Sequence, residues 1–404
     1  MSVRRAAVVL VWCVGCGASE IQGSVSEGRD ASVGHTCDPS ILADASADDV
    51  ATSTDGPFVV ELAVASQLHQ CARMSDGTVR CRGANDLGQL GLGTSGTPSR
   101  DAVTVPGLSD VEQVLTVNIS VTCTRHRDGT VRCWGSNEFD MLGTGHDGDE
   151  RCAFSRRSPC RTRPTLVPGL TDVVQLAASM FSVCAVRRDG SVWCWGSVSQ
   201  LLPRGGSPTP VRSTEFDDVT ALWERTFGWV ARFRSGRYAM RFSLDPVDIP
   251  PSAEIAEGDD SHLCYRLPDG SVRCLGLNAD GKIGNGMSLF PGAVTAPWDP
   301  GLCGVRSIVT GAYHTCAVLA DRTVACWGDD SYDSLGVDTS EQCVGISHAT
   351  NCATRPTTVP GLDHVDRLFA GVWGTCALRT DRSVWCWGSL AGPPSTSTPR
   401  PVAW

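Results

Sequence analysis

The feature that most constrains the fold of this chain is a pair of cysteines ten positions apart on either side of a turn. The first copy reads Cys71-Ala-Arg-Met-Ser-Asp-Gly-Thr-Val-Arg-Cys81. Asp-Gly between strand-forming residues favours a hairpin, because glycine accepts the positive φ that the turn needs. A three-residue loop places Met74 opposite Thr78, and Cys71 opposite Cys81 as a non-hydrogen-bonded pair with Cα atoms about 4.5 Å apart. The spacing therefore predicts a cross-strand disulfide.

The hairpin recurs along the chain with a period of about fifty residues, which is typical of a β-propeller. A seventh copy carries Val230 and Met240 at the cysteine positions, which predicts an apolar contact in place of the disulfide. Arg322 and Arg382 replace the turn glycine in the last two copies and predict a less favourable turn. We therefore predict an all-β, seven-bladed β-propeller with intra-hairpin disulfides, five of which repeat the first: Cys123–Cys133, Cys184–Cys194, Cys264–Cys274, Cys316–Cys326 and Cys376–Cys386.

Short motifs between the hairpins point to a family. Trp-Gly follows four hairpins, a Gly-Gln-Leu-Gly-like turn follows four, as at residues 88–91, and Pro-Gly-Leu opens several blades, as at residues 106–108. Over residues 56–404 the chain resembles the regulator-of-chromosome-condensation repeat family, and this resemblance implies a seven-bladed β-propeller. The third, fourth and seventh copies lack the Gly-Gln-Leu-Gly segment, so their outer strands and loops stay open.

The N-terminus predicts export. Residues 1–15 combine two arginines with a short apolar run, which is typical of a signal peptide and too short to span a bilayer. Gly15 before Cys16 resembles a bacterial lipoprotein signal, which implies a lipid on Cys16. Gly17, where an Asp would favour retention at the inner membrane, implies the outer membrane or cell surface. The alternative is full removal of the signal and a periplasmic or secreted protein. Residues 16–55 are rich in Ser, Ala, Asp and Gly, so we expect a flexible tether before the propeller of residues 56–404.

The remaining cysteines predict three more disulfides. Two pairs lie in the longest repeats, before similar text at residues 161–169 and 353–361, so they brace equivalent loops: Cys152 with Cys160, and Cys343 with Cys352. Elimination leaves Cys37 and Cys303, a pair that would tie the tether to the body. Zinc is disfavoured, because the spacing lacks close Cys-x-x-Cys pairs and an exported chain meets oxidising conditions.

Other candidate sites have structural alternatives. Three histidines each precede a hairpin cysteine by two residues, so we expect structural roles rather than catalysis: His69, His262 and His314. Two acidic segments could hold calcium but lack its ordered ligand spacing, so we expect solvated loops: Asp147, Asp149 and Glu150, and Asp329, Asp330 and Asp333. Trp223 and Trp229 belong either to the core or to an exposed patch. We find no motif for a nucleophile, a phosphate or a metalloprotease, and expect no catalytic residue, metal or cofactor.

These observations together favour a binding protein. The net charge of -10 disfavours nucleic acid and anionic membrane surfaces as partners. We predict a non-catalytic, monomeric cell-envelope scaffold, attached to the membrane by its lipid, whose braced loops recognise an unidentified protein or glycan. The family includes a secreted inhibitor of β-lactamases, so a protein inhibitor of an exported hydrolase is one alternative. An enzyme with its site at the mouth of the central channel is another. The nucleotide-exchange activity known in the family is not expected, because its GTPase partner is nuclear.

Overall fold

The chain folds into seven sheets that follow one another along the sequence. The computed structural model describes residues 37–38, 40–43, 56–64, 68–117, 120–146, 149–152, 158–197, 201, 206–225, 228–241, 248–258, 262–288, 293–344, 349–390 and 395–404. The predicted signal peptide, the lipidation site at Cys16 and most of the tether lie outside these residues. His35–Trp404 forms one compact unit.

Blades 1 to 3 each begin with their innermost strand. Blade 1 contains β1 (Val59–Ala63), β2 (His69–Met74), β3 (Val79–Gly83) and β4 (Ser99–Thr104). Blade 2 contains β5 (Val111–Val117), β6 (Val121–His126), β7 (Val131–Ser136), β8 (Glu150–Cys152) and β9 (Ser158–Leu166), with β8 at the outer edge beyond β9. Blade 3 contains β10 (Val173–Ala178), β11 (Ser182–Arg187), β12 (Val192–Gly196) and β13 (Ser207–Arg212).

Blades 4 to 7 continue the ring. Within the residues that the structure describes, blade 4 has three strands, β14 (Val219–Arg225), β15 (Gly228–Phe233) and β16 (Tyr238–Arg241). Blade 5 contains β17 (Glu254–Ile255), β19 (His262–Arg266), β20 (Val272–Leu277) and β21 (Ala293–Trp298). Between β17 and β19 the chain forms β18 (Glu257–Gly258), which pairs in parallel with Val309 and Thr310 and so belongs to the sheet of blade 6. Blade 6 contains β22 (Val305–Thr310), β23 (His314–Leu319), β24 (Val324–Asp329), β25 (Glu341–Val344) and β26 (Ala349–Thr358). Blade 7 contains β27 (Val365–Ala370), β28 (Gly374–Arg379), β29 (Val384–Gly388) and β30 (Thr396–Val402).

The hairpins have the register that the cysteine spacing predicts. In blade 1 the Met74 N–H donates to the Thr78 carbonyl at 2.9 Å, which closes the three-residue loop. Cys71 then lies opposite Cys81, with Cα atoms 4.1 Å apart. The other five hairpin pairs have Cα separations of 4.1 or 4.2 Å. The prediction of a seven-bladed propeller with disulfides inside its hairpins is confirmed.

In each of the six disulfide-bonded hairpins, which we call stapled, an aspartate side chain holds the turn. The Asp76 carboxylate accepts hydrogen bonds from the Thr78 hydroxyl at 2.7 Å and the Thr78 N–H at 2.9 Å, and these bonds lower its pKa. The same Asp with a Ser or Thr two residues later recurs in the other five stapled hairpins. Arg322 and Arg382 take the glycine position with φ of 63° and 70°, so the turn forms there against the preference of an L side chain.

Tryptophans connect neighbouring blades. The Trp134 indole of blade 2 is fully buried and donates to the Gln89 carbonyl of blade 1 at 2.9 Å. A Cβ on Gly91 would come within 2.8 Å of that indole nitrogen, so the Gly-Gln-Leu-Gly turn is a seat for the next blade's tryptophan. Three more junctions repeat the arrangement: Trp195 with Met141, Trp327 with Lys282, and Trp387 with Ser334. The three blades without this tryptophan are those that follow a blade without the seat.

The ring closes between blades 7 and 1 through side chains. Residues of both blades form one apolar cluster, in which Leu62 and Met74 pack with Leu378 and Val384. Arg82 stands at the position that a tryptophan takes elsewhere and lies 4.3 Å from the ring of Trp404. The last strand therefore meets the first blade across an apolar interface.

Part of the predicted tether is held against the propeller. Cys37 is joined to Cys303, just before blade 6, with Cα atoms 5.3 Å apart. Ser40–Ala43 forms a helical turn, α1, and Leu42 lies against Gly270 in the hairpin turn of blade 5. The expectation of a free tether thus does not extend to this segment. In the part of the chain that the structure covers, no helix has the length and apolar character that crossing a membrane requires.

Candidate functional site: the loop face

The propeller has two different faces. Val59 at the start of an innermost strand pairs with Met74 at the end of the next, so the hairpin turns and the starts of the innermost strands share one side, the turn face. The opposite side, the loop face, carries the ends of the innermost strands and the long connections to the outer strands. Both loops that the sequence predicts to be braced lie on the loop face.

The mouth of the channel on the turn face is lined by ion pairs. A cavity of about 490 Å³ there contains Glu61, Glu254 and Asp366, along with Arg73 and Arg266. Glu61 lies 2.9 Å from Arg73, and Glu254 lies 2.7 Å from Arg266. An arginine beside a carboxylate satisfies both its charge and its hydrogen-bonding capacity. The glutamates at this mouth are therefore paired with arginines.

The walls of the channel are joined by glutamines. Gln113 of blade 2 bonds to both the N–H and the carbonyl of Leu176 in blade 3, at 2.7 and 2.9 Å. Gln175 does the same to Leu222 in blade 4, at 2.8 and 3.1 Å. A side-chain amide that pairs with both backbone groups replaces a missing strand partner. These residues hold blades together.

The three repeated histidines also join blades. His69 and His262 direct Nε2 to Thr122 and Thr315 of the following blade, at 2.9 and 2.7 Å. His314 is fully buried, bonds to Thr375 at 2.7 Å, and has its pKa lowered to about 4 by burial. A neutral, buried imidazole with a partner in the next blade suits the structural role expected from the sequence.

The acidic segments contain no arranged metal site among the residues that the structure covers. Asp147 lies outside those residues. Asp149 accepts bonds from Arg161 at 2.9 Å and Asn137 at 2.8 Å, and the Glu150 carboxylate accepts the Thr162 hydroxyl at 2.8 Å. These contacts anchor the braced loop of blade 2.

The expectation of a solvated loop around Asp330 is wrong. Asp330 is only 7% exposed and accepts bonds from the Leu335 N–H at 3.2 Å and the Thr339 hydroxyl at 3.0 Å. Burial raises its pKa to about 6. Asn85, Asn137 and Asn278 accept the equivalent N–H in their blades, so Asp330 is a carboxylate at an asparagine position. Asp329 is also buried, and Asp333 is half-buried.

The two tryptophans of the fourth repeat belong to the core. Trp229 is 7% exposed and meets Phe216 edge to face, with ring centroids 4.5 Å apart. Trp223 is half-buried and packs beside Tyr238. The alternative of an exposed aromatic patch in this repeat does not hold.

The two braced loops are equivalent hairpins. β8 pairs with β9, and β25 pairs with β26, each at the outer edge of its blade. Glu150 accepts the Thr162 hydroxyl at 2.8 Å, and Glu341 accepts the Thr354 hydroxyl at 2.6 Å. Each hairpin is also hydrogen-bonded to the preceding blade. The Gly93 N–H donates to the Thr162 carbonyl, and the Gly286 N–H donates to the Thr354 carbonyl, both at 2.8 Å. Disulfides bridge the hairpins, with Cα separations of 6.0 and 5.8 Å: Cys152–Cys160 and Cys343–Cys352.

Two aromatic pairs, each with one exposed ring, lie on the same face where the hairpin-bearing blades meet the blades that follow them, and the sequence analysis missed them. Phe139 of blade 2 meets Phe181 of blade 3 edge to face at 5.1 Å, and Tyr332 of blade 6 stacks on Trp373 of blade 7 at 4.7 Å. We call these the 2/3 pad and the 6/7 pad. Eight large apolar side chains are exposed in the covered part of the chain, and all but Leu166 lie on the loop face: Leu68, Phe139, Met180, Leu277, Met287, Tyr332 and Val344. The loop face is therefore the more apolar one.

The geometry defines a repeat propeller with a specialised loop face, and comparisons place it beside known propellers. Residues 305–333 match the family model of the regulator of chromosome condensation (RCC1) repeat. The chain is 26% identical to the protein pim1 of Schizosaccharomyces pombe over 355 residues, which cover 76% of this chain and 65% of pim1. It is 26% identical to the regulator of chromosome condensation of Mus musculus over 300 residues, which cover 68% of this chain and 60% of the mouse protein. It thus spans less than two thirds of both relatives.

A solved structure supports the same fold. Prp20p of Saccharomyces cerevisiae superposes with a TM-score of 0.66 at 18% identity, covering 86% of this chain and 87% of that protein. This chain is accordingly a seven-bladed β-propeller that is similar to proteins with RCC1 repeats.

Proposed function

We propose that this chain is a non-catalytic scaffold of the cell envelope, anchored through a lipid on Cys16, that recognises a protein partner with its loop face. The observation that carries the proposal is that the two blades with the braced hairpins also carry, on the same face, the exposed rings of the two pads. Tyr332 is 45% exposed and Phe139 38%, although most large apolar side chains of the propeller are buried. Exposed aromatic groups gathered on one side of a soluble domain mark interaction surfaces.

The hairpins are suited to recognition because they are already ordered. A disulfide, a Glu–Thr pair and contacts to the preceding blade hold each one, so little conformational entropy remains to be lost on binding. Aromatic side chains supply much of the binding energy at protein interfaces, chiefly where neighbouring groups exclude water around them. The loop face combines both features, and the ion-paired mouth on the turn face combines neither.

The relatives supply the precedent for protein recognition by this fold. The report of the Prp20p structure concerns its binding properties to Gsp1p and histones, and another structure shows the same yeast protein bound to Kap60. An inhibitor of an exported hydrolase would use the same rigid surface, and the partner's identity separates it from a scaffold.

The test replaces both braced hairpins, residues 150–160 and 341–352, with short Gly-Ser connections. Partners are captured from the native cell envelope with the unaltered chain and then measured against the variant. We expect the affinity to fall at least about tenfold, which is about 1.4 kcal/mol. A matched control, Asp217→Asn, removes a carboxylate that is 77% exposed on the turn face and should leave binding unchanged. Unchanged binding by the hairpin variant contradicts the proposal. The anchor is tested separately by intact-mass analysis, which should find acyl chains on Cys16.

A further inference from the structure

One disulfide fastens the chain ahead of blade 1 to the turn face. Cys37 is buried and joined to Cys303, which stands two residues before β22 starts beside the hairpin turn of blade 6. The segment that follows stays on this side, because α1 lies against the hairpin turn of blade 5. A Cβ on Gly270 in that turn would come within 3.0 Å of the Leu42 side chain. The chain therefore first meets the propeller on the turn face.

The chain also enters blade 1 on the turn face. The Ser75 N–H in the hairpin turn of blade 1 donates to the Phe58 carbonyl at 2.8 Å, and the Phe58 N–H donates to the Ser75 hydroxyl at 3.2 Å. Val59 then begins β1 opposite Met74. Blades 6 and 7 separate this point from Cys303 around the ring. Two separate points of the turn face thus hold the part of the chain that precedes the propeller.

The disulfide also sets the length of chain between the proposed lipidation site and the propeller. Cys37 follows Cys16 by 21 residues, whereas Phe58 follows it by 42. Linkers rich in Gly and Ser with these lengths have root-mean-square end-to-end distances of about 25 and about 36 Å. The disulfide therefore shortens the mean reach from the lipid to the propeller by about 10 Å.

These lengths decide which face approaches the membrane more easily. To bring the loop face against the membrane, the chain that ends at Cys37 would have to pass around the outer edge of a blade. That path is about 20 Å along a six-residue strand and about 14 Å across three strand spacings. A path of about 35 Å exceeds the mean reach of 21 residues and about equals that of 42 residues. With the disulfide closed, the shorter chain favours a turn face directed toward the membrane.

We infer that the Cys37–Cys303 disulfide orients the propeller, with the turn face toward the membrane and the loop face presented away from it. The pads and the braced hairpins then meet the aqueous phase. The partner is therefore a protein with a domain in the aqueous phase beyond the propeller, and not a neighbour confined to the same membrane. This inference rests on the proposed function, because it requires the lipid on Cys16.

The experiment compares the distance of each face from a membrane by energy transfer. The lipidated chain is reconstituted into phosphatidylcholine vesicles that contain a small fraction of lipid with a rhodamine headgroup. Lys282 is the only lysine of the chain and is buried, so an added surface lysine supplies the exposed side-chain amine that a donor fluorophore modifies. Asp217→Lys places the donor on the turn face and Asp338→Lys places it on the loop face, with the same change of charge at two exposed positions. The unsubstituted chain, treated in parallel, corrects for donor on the α-amine.

We expect energy transfer from position 217 to exceed that from position 338 by at least about twofold, because the two faces are about 20 Å apart. Position 338 belongs to blade 6, beside the disulfide, so a tilt of the propeller toward its attachment point would work against this result. When Cys37→Ser and Cys303→Ser are added, the difference should shrink, because the longer chain lets the propeller turn over. The absence of free thiols in this denatured, unreduced variant shows that its other disulfides have formed.

Two results overturn the inference and leave the proposed function intact: equal transfer from the two positions, or a difference that does not shrink when the disulfide is removed. Higher transfer from position 338 would place the loop face against the membrane and end both this inference and partner recognition by that face. An intact mass without acyl chains on Cys16 would end the anchor and this inference with it, while the hairpin replacement still decides whether the loop face recognises a partner.

Discussion

The buried carboxylate of Asp330 makes the stability of blade 6 depend on pH. Burial raises its pKa from 3.8 to about 6, so the folded protein binds this proton more tightly than the unfolded chain does. The difference corresponds to about 3 kcal/mol at about 1.4 kcal/mol per pH unit. Because the folded pKa is the higher one, this contribution is fully present below pH 4 and is lost as the pH rises from about 4 to about 6.

The substitution Asp330→Asn removes the charge and preserves the cap. Its Oδ1 can still accept the Leu335 N–H, and its Nδ2 can donate to the Thr339 hydroxyl, which now donates to the carboxylate. We expect the variant to be more stable than the parent by up to about 3 kcal/mol at pH 7, and to show no such gain at pH 4.

The measurement is guanidinium unfolding with the disulfides intact, followed by tryptophan fluorescence at both pH values. Other aspartates titrate in both the parent and the variant. The pH dependence of the difference in unfolding free energy between the two proteins therefore isolates the contribution of position 330. Asp338→Asn removes an exposed carboxylate from the same loop and controls for net charge. A gain of equal size at pH 4 and pH 7, or a loss of stability at pH 7, would refute the reasoning.

Two further perturbations test the packing. Gly91→Ala should lower the free energy of unfolding by about 1–3 kcal/mol more than Gly107→Ala, as measured by denaturant unfolding. Both glycines have positive φ, but only the new Cβ at position 91 meets Trp134. Equal losses of stability would contradict the tryptophan seat. Val230→Cys with Met240→Cys should form the missing disulfide of blade 4, because these residues lie directly opposite each other, and should stabilise the protein by about 2–3 kcal/mol under non-reducing conditions. Two additional free thiols in the denatured, unreduced double variant would show that the pair does not close.

The sequence was most informative where structure depends on neighbours in the chain. The position of Cys71 opposite Cys81 follows from a ten-residue spacing and one turn, and the hidden copy at Val230 and Met240 follows from the same rule. The number of blades then follows by counting copies. The propeller could therefore be predicted almost completely.

The candidate site could not be predicted in the same way, because it arises between repeats. Phe139 and Phe181 meet across a blade junction, and neither stands in a pattern that indicates exposure. Asp330 lies among polar residues that suggest a solvated loop, and only comparison with the asparagine of other repeats indicates a buried cap. Phe139 stands two residues after Asn137, and Tyr332 stands two residues after Asp330. This shared position was the sequence signal available for the pads.

The tryptophan seats divide the ring unevenly. They join blades 1, 2 and 3 and, separately, blades 5, 6 and 7, which leaves blade 4 outside both groups. Two three-blade halves fill only six of seven positions, so blade 4 is the spacer that completes the circle. In its hairpin Val230 and Met240 stand where the other six carry a disulfide, and this change breaks no tryptophan seat. Two groups of three blades need one further blade to complete a seven-bladed ring, and this role accounts for the divergence of blade 4. The two groups that blade 4 separates keep the same arrangement.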